Sequence, residues 1–203
     1  MLGLRRQKNI AKNQSGATAI EFALIAPLFF AFILGIMDIA VYFFVSGQLQ
    51  HGVVQAARGI RTGNIAGQVI DPLDGTAREV FRTAVCNEIV TGMMGTCTST
   101  VRVDVRSYNT FASIDVPSIT QMDTGGNSDG FVDDGETVYN TGGPSCPVFV
   151  RAFFKHGTII PGLEKLFAGV VPGTIYLTAA TVFRNEPFTG GIGTSCATAG
   201  DLE

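Results

Sequence analysis

From Ala17 to Val45 the chain is almost uninterruptedly apolar, with Glu21 and Asp38 as its only charges. The 21 residues from Ala17 to Met37 would rise about 31 Å as a helix, close to the roughly 30 Å hydrocarbon thickness of a bilayer. Past Val45 the pattern changes. Val45, Leu49, Val53 and Ala57 recur at helical spacing among Gln48, Gln50, His51 and Gln55. That period predicts one continuous helix whose first half spans a membrane and whose second half lays a single apolar stripe on a folded head. The stop is expected between Arg58-Gly59 and Gly63, and Pro27 should give no more than a mild kink.

The remaining pattern mixes two periods. Val80, Ala84, Ile89 and Val90 make an apolar face among Arg78, Glu79, Arg82 and Glu88, which predicts a second helix from about Gly75 to Thr91. Val101, Val103 and Val105 alternate with Arg102, Asp104 and Arg106, the mark of a half-buried strand. Further strands are expected at Pro147 to Phe154 and Thr174 to Phe183, with a short helix near Leu163 to Phe167 between them. Helices followed by strands read as α+β, an antiparallel sheet packed on the amphipathic part of the long helix.

Charge orients this plan. Arg5, Arg6, Lys8 and Lys12 precede the span, and short Lys/Arg-rich flanks stay cytoplasmic, so the head is expected on the extracytoplasmic side. A secretory signal peptide shares the basic start. Its apolar core is shorter, however, and no small-residue cleavage site follows this one. The formal charge of −3 hides an asymmetry: four of the 14 basic residues and none of the 17 acidic ones lie in the first 16, which leaves −7 for the rest. An acidic head disfavours nucleic acid as a partner. Four segments result: a basic leader 1–16, a transmembrane part 17–45, a head 46–188 and a glycine-rich tail 189–203. At the outer end, Asp38 is expected among the headgroups as an interfacial residue.

A carboxylate near the centre of a span costs about 2.5–3.5 kcal/mol and somewhat less near its edge, so Glu21 calls for a partner. The stretch Gly16-Ala17-Thr18-Ala19-Ile20-Glu21-Phe22 resembles the processing site of type IV prepilins. That resemblance implies peptidase cleavage between Gly16 and Ala17, and assembly through Glu21 and Phe22, with the glutamate meeting the new N-terminal amine of a neighbouring subunit. Continued through Ala23-Leu24-Ile25-Ala26-Pro27-Leu28, and joined by the late Thr181-Val182-Phe183-Arg184-Asn185-Glu186-Pro187-Phe188, the chain is similar to the TadE-like family of pseudopilins. The resemblance implies a minor subunit of a tight-adherence pilus in the bacterial inner membrane, larger than the short major pilins. Its partners would be a prepilin peptidase, other pilin-like subunits, inner-membrane pilus assembly proteins and membrane lipid. The alternative is an uncleaved, membrane-tethered binding module. The acidic insertion from Asp123 to Glu136 and the tail after Phe188 fall outside the family pattern.

All four cysteines lie beyond the span, where an oxidising compartment makes disulfides the default, and four cysteines allow three pairings. Cys86 with Cys97, and Cys146 with Cys196, is favoured. The first pair is local, and the second ties together the two regions that the family pattern leaves unexplained. Zinc lacks a C-x-x-C spacing, and His51 and His156 stand far from any cysteine. Asn127, Asp129, Asp133 and Glu136 can be placed at ligand positions of a calcium loop, but its first position would be Gly125, so a solvated acidic loop is the preferred reading. No G-x-S-x-G, H-E-x-x-H or phosphate-binding loop occurs, and neither catalysis nor a cofactor is expected.

Overall fold

The computed structural model describes residues 16–64, 76–89, 97–123, 130–158, 160, 162, 165, 173–187 and 196. Helix α1, Ala17–Arg61, is a single run of 45 residues, about 68 Å long, with Pro27 inside it. It ends where the Thr62 hydroxyl and N–H both donate to the Arg58 carbonyl and Gly63 takes φ of 74°. Arg58 and Arg61 lie in its last turn, where cations complement the helix dipole.

Helix α2, Thr76–Asn87, stops earlier than the apolar period predicts. Ile89 is still buried but lies past the helix end, and Val90 and Thr91 lie outside the described residues. A single helical turn, α3, Cys97–Thr100, leads into strand β1, Val101–Ser107. After a 3₁₀ turn at Phe111–Ser113 come the short α4, Ile119–Asp123, and a second 3₁₀ turn at Asp134–Glu136. Strands β2, Pro147–Gly157, and β3, Thr174–Arg184, complete an antiparallel sheet in the order β1-β2-β3. Both run a little further than their β-rich sequence suggested. The helix expected near Leu163 to Phe167 lies almost wholly outside the described residues.

Register places Val103 opposite Ala152, and Ala152 opposite Ala179. One face of the sheet therefore carries Val101, Val103, Val105, Val148, Val150, Leu177 and Ala179. It packs on Val45, Leu49, Val53 and Ile60 of α1 and on Phe81 and Val85 of α2. Gly52 lets the helices close: a Cβ there would meet the Val85 carbonyl oxygen at 2.8 Å. The opposite face is also covered at β2, where Phe153 packs with Met122 and Val132 from the 108–136 segment. Just past that segment, an isolated parallel bridge forms beside β1, between Val105 and Tyr139. Period-two alternation read Asp104 as the solvent side of a half-buried strand. It is instead fully buried, because the chain at Val138, whose N–H it accepts, covers it.

Candidate functional site

Helix α1 divides sharply. Its first half leaves Phe22, Leu24, Leu28, Phe32 and Ile36 exposed, each above 60%. Its second half buries Val45, Leu49, Val53, Ala56, Ala57 and Ile60 in the head. This is a helix long and apolar enough to cross a membrane. Glu21 is exposed in its second turn, the only charged residue of α1 before Asp38. Gly16 sits at the N-cap, and a Cβ there would touch nothing within 4 Å. Gly16, Ala17, Glu21 and Phe22 thus lie together at the accessible start of the helix.

Asp38 departs from expectation. It is 2% exposed, and its Oδ2 accepts the Ile160 backbone N–H at 3.3 Å. The helix turns its carboxylate into its own head, so it is not an open interfacial residue. Half-buried His156 stands within electrostatic reach: burial pushes its pKa below the ordinary value, and Asp38 pulls it back up. Its Nε2 and the Thr158 hydroxyl are buried with no hydrogen-bond partner among the described residues.

The head is held by arginines. Asp104 accepts both its oxygens' bonds from Arg106 Nε at 3.0 Å, takes Arg151 Nη2 at 3.2 Å, and caps the Val138 N–H at 3.0 Å. Arg151 also donates to the Pro117 carbonyl, and its guanidinium lies 4.6 Å from the Phe153 ring centroid. Burial lowers the Arg151 pKa, and Asp104 opposes that. A carboxylate so deep is tolerable only because it is paired and hydrogen-bonded.

The acidic insertion is not free in solvent at its second end. Arg82 bonds both Glu79, at 2.5 Å, and Asp134, while Arg78 donates to the carbonyls of Asp134 and Thr137. Arg102 lies 3.7 Å from Asp134. Glu136 is occupied in capping the Asp133 N–H at 2.8 Å. Of the calcium candidates, Asn127 and Asp129 lie outside the described residues. Asp133 and Glu136 cap a 3₁₀ turn facing guanidinium groups. Among the described residues no group of three or more His, Cys, Asp or Glu is placed to hold a metal ion.

Two disulfides, Cys86–Cys97 and Cys146–Cys196, have Cα separations of 5.8 and 5.4 Å. The first fastens the end of α2 to α3, and the second fastens Cys196 beside the start of β2. Next to it, Asn185 donates through Nδ2 to the Thr141 and Gly143 carbonyls, both at 2.9 Å, and through its N–H to Cys146. Arg184 holds the Ser145 carbonyl, and Glu186 bonds the end of α1 through the Arg61 carbonyl and guanidinium. The Arg-Asn-Glu stretch thus closes the head by tying the last strand to the helix.

In comparison with known families, residues 16–58 match the model of the TadE-like protein family. The resemblance drawn from the residues at the start of α1 therefore holds over that segment, which is α1 nearly to its end. The Thr181–Phe188 stretch lies outside the match. No curated protein and no solved structure matches the chain.

Proposed function

We propose that this protein is a minor pilin-like subunit of a tight-adherence pilus, anchored in the bacterial inner membrane by the first half of α1 with its head outside the cytoplasm. In this reading a prepilin peptidase cuts between Gly16 and Ala17 and removes the basic leader 1–16. The observation that carries it is the coincidence of the TadE-like match with the part of α1 that exposes its apolar side chains around Glu21. Two disulfides in the head agree with an oxidising compartment.

The protein would work by packing, with no chemistry of its own. Lipid tails are as apolar as leucine, so moving from bilayer to a bundle of helices yields little hydrophobic gain, and close packing with polar pairing must supply the preference. Glu21 is the group able to do this, since a neighbour's freed α-amino group would neutralise a carboxylate that lipid tolerates poorly. Asp38 takes no such part, being enclosed by its own head.

N-terminal sequencing or intact mass of the protein extracted from membranes tests the reading. A chain beginning at Ala17 is expected, and Gly16→Leu should retain the leader. A protein still beginning at Met1 in cells with an active peptidase would overturn it in favour of an uncleaved, tethered binding module.

A further inference from the structure

We infer that Ile160, just beyond β2, rests in the outer interface of the bilayer, so that the head touches phospholipid there and does not stand clear of the membrane on a bare helix. This rests on the reading of α1 as a membrane anchor.

Depth along the helix is the first argument. Gly35 stands eighteen residues above Ala17, about 27 Å of helical rise, which is inside a hydrocarbon layer of about 30 Å that begins at Ala17. Ile160 Cδ1 lies 3.6 Å from the position a Cβ on Gly35 would take. A residue of the head therefore reaches down to a level that the helix itself assigns to lipid.

The second argument is Asp38, about one turn higher. A carboxylate at that level costs free energy unless donors meet it, and the Ile160 N–H does so at 3.3 Å while Asp38 is 98% shielded. The same residue thus offers its backbone to the carboxylate and its aliphatic side chain to the helix below. Third, the surface continues: Leu28, Ala31, Phe32, Gly35, Ile36 and Ile39 line an apolar groove on α1 at and below this contact. Phe32 and Ile36 are more than 60% exposed, so the surroundings shared by Ile160 and this groove are acyl chains. In sequence, Ile159 and Pro161 on either side of Ile160 are uncharged as well.

The chain contains no tryptophan, so a single introduced indole reports its own surroundings. Full-length Ile160→Trp and Phe32→Trp proteins are placed in phosphatidylcholine vesicles containing phosphatidylcholine brominated at a shallow or a deep acyl position. Both should emit to the blue of free indole, and Ile160→Trp should lose most emission to the shallow bromines. Phe32→Trp should lose more than it does to the deep ones. If Phe32→Trp is quenched by lipid while Ile160→Trp is quenched only by aqueous iodide, the inference falls and the anchor stands. If Phe32→Trp escapes lipid quenching, the anchor reading falls and takes the inference with it. Emission of Ile160→Trp shielded from lipid and iodide alike would mean protein cover, and would also overturn the inference. Should Ile160→Trp disturb the fold, native protein carrying labelled isoleucine methyls, with Ile160 assigned by loss of its signal in Ile160→Val, answers the same question: a doxyl lipid should broaden that signal.

Discussion

The two halves of α1 share one helical geometry and bury opposite amounts of surface. The first half is the more apolar by sequence yet is exposed almost throughout. The second half, with its glutamines, glycines and a histidine, is the one sunk in the core. In a water-soluble molecule the order would be reversed, since apolar residues leave water first. The inversion fits a first half made for a membrane anchor and teaches that hydrophobicity alone does not locate the core. Periodicity does: a stripe at Val45, Leu49 and Val53 marks the part of the helix that packs on its own head, and an all-round apolar surface marks the part that does not.

The largest expected effect comes from truncating both halves alike. Leu49→Ala should destabilise the head by about 2–5 kcal/mol, the range for emptying a well-packed leucine site, because Leu49 is 1% exposed. Phe32→Ala removes a larger side chain and should leave head stability unchanged within about 0.5 kcal/mol, as for surface changes generally. Denaturant unfolding of the full chain in detergent micelles, followed by tyrosine fluorescence of the head, measures both. Equal losses would break the contrast.

Glycines along the helix sharpen it on a smaller scale. Gly47→Ala meets nothing within 4 Å and should stabilise by about 0.5–1 kcal/mol through helix propensity. The same gain at Gly52 is opposed by a methyl 2.8 Å from the Val85 carbonyl oxygen, which α2 can relieve only by shifting. Overpacking costs typically about 1–3 kcal/mol, so Gly52→Ala should lose about 1 kcal/mol net. The opposite signs of two chemically identical changes on one helix can be read in the same denaturant series.

How much of this the sequence discloses depends on what surrounds each residue. The anchor, the stripe on α1 and the three strands are legible because local period encodes them. Asp104 is not: Arg102, Asp104 and Arg106 alternate with three valines as any solvent-facing set would. Only the chain 34 residues further on, at Val138 and its neighbour Tyr139, decides that this face is covered. Asp134 and its partners Arg82 and Arg102 escaped notice for the same reason, since the pairing with Arg82 links positions 52 apart. The enclosure of Asp38 is not legible either, because the Ile160 N–H that meets its carboxylate comes from beyond β2. A carboxylate at the end of an apolar run, followed far downstream by a histidine between aromatic and β-branched residues, is too common a pattern to have revealed it.

The smallest effect belongs to the boundary between the two halves, where His156 faces Asp38. Burial disfavours the imidazolium more than Asp38 favours it, so the folded-state pKa lies below the ordinary 6.5. As pH falls, the unfolded chain takes up this proton before the folded one does. The contribution of His156 to stability is therefore complete above the unfolded value and declines as pH drops through 6.5 towards the folded value. Asp38→Asn removes the opposing attraction and should lower the folded pKa further. The chain has two histidines, and His51 is exposed, so a proton NMR titration of the full chain in micelles resolves them. The His156 midpoint should lie below 6.5, with a further downward displacement in Asp38→Asn. A His156 midpoint at or above 6.5, unmoved by that substitution, would mean that the head does not close over Asp38, and the boundary between the lipid-facing and head-facing parts of α1 would have to be drawn further along the helix.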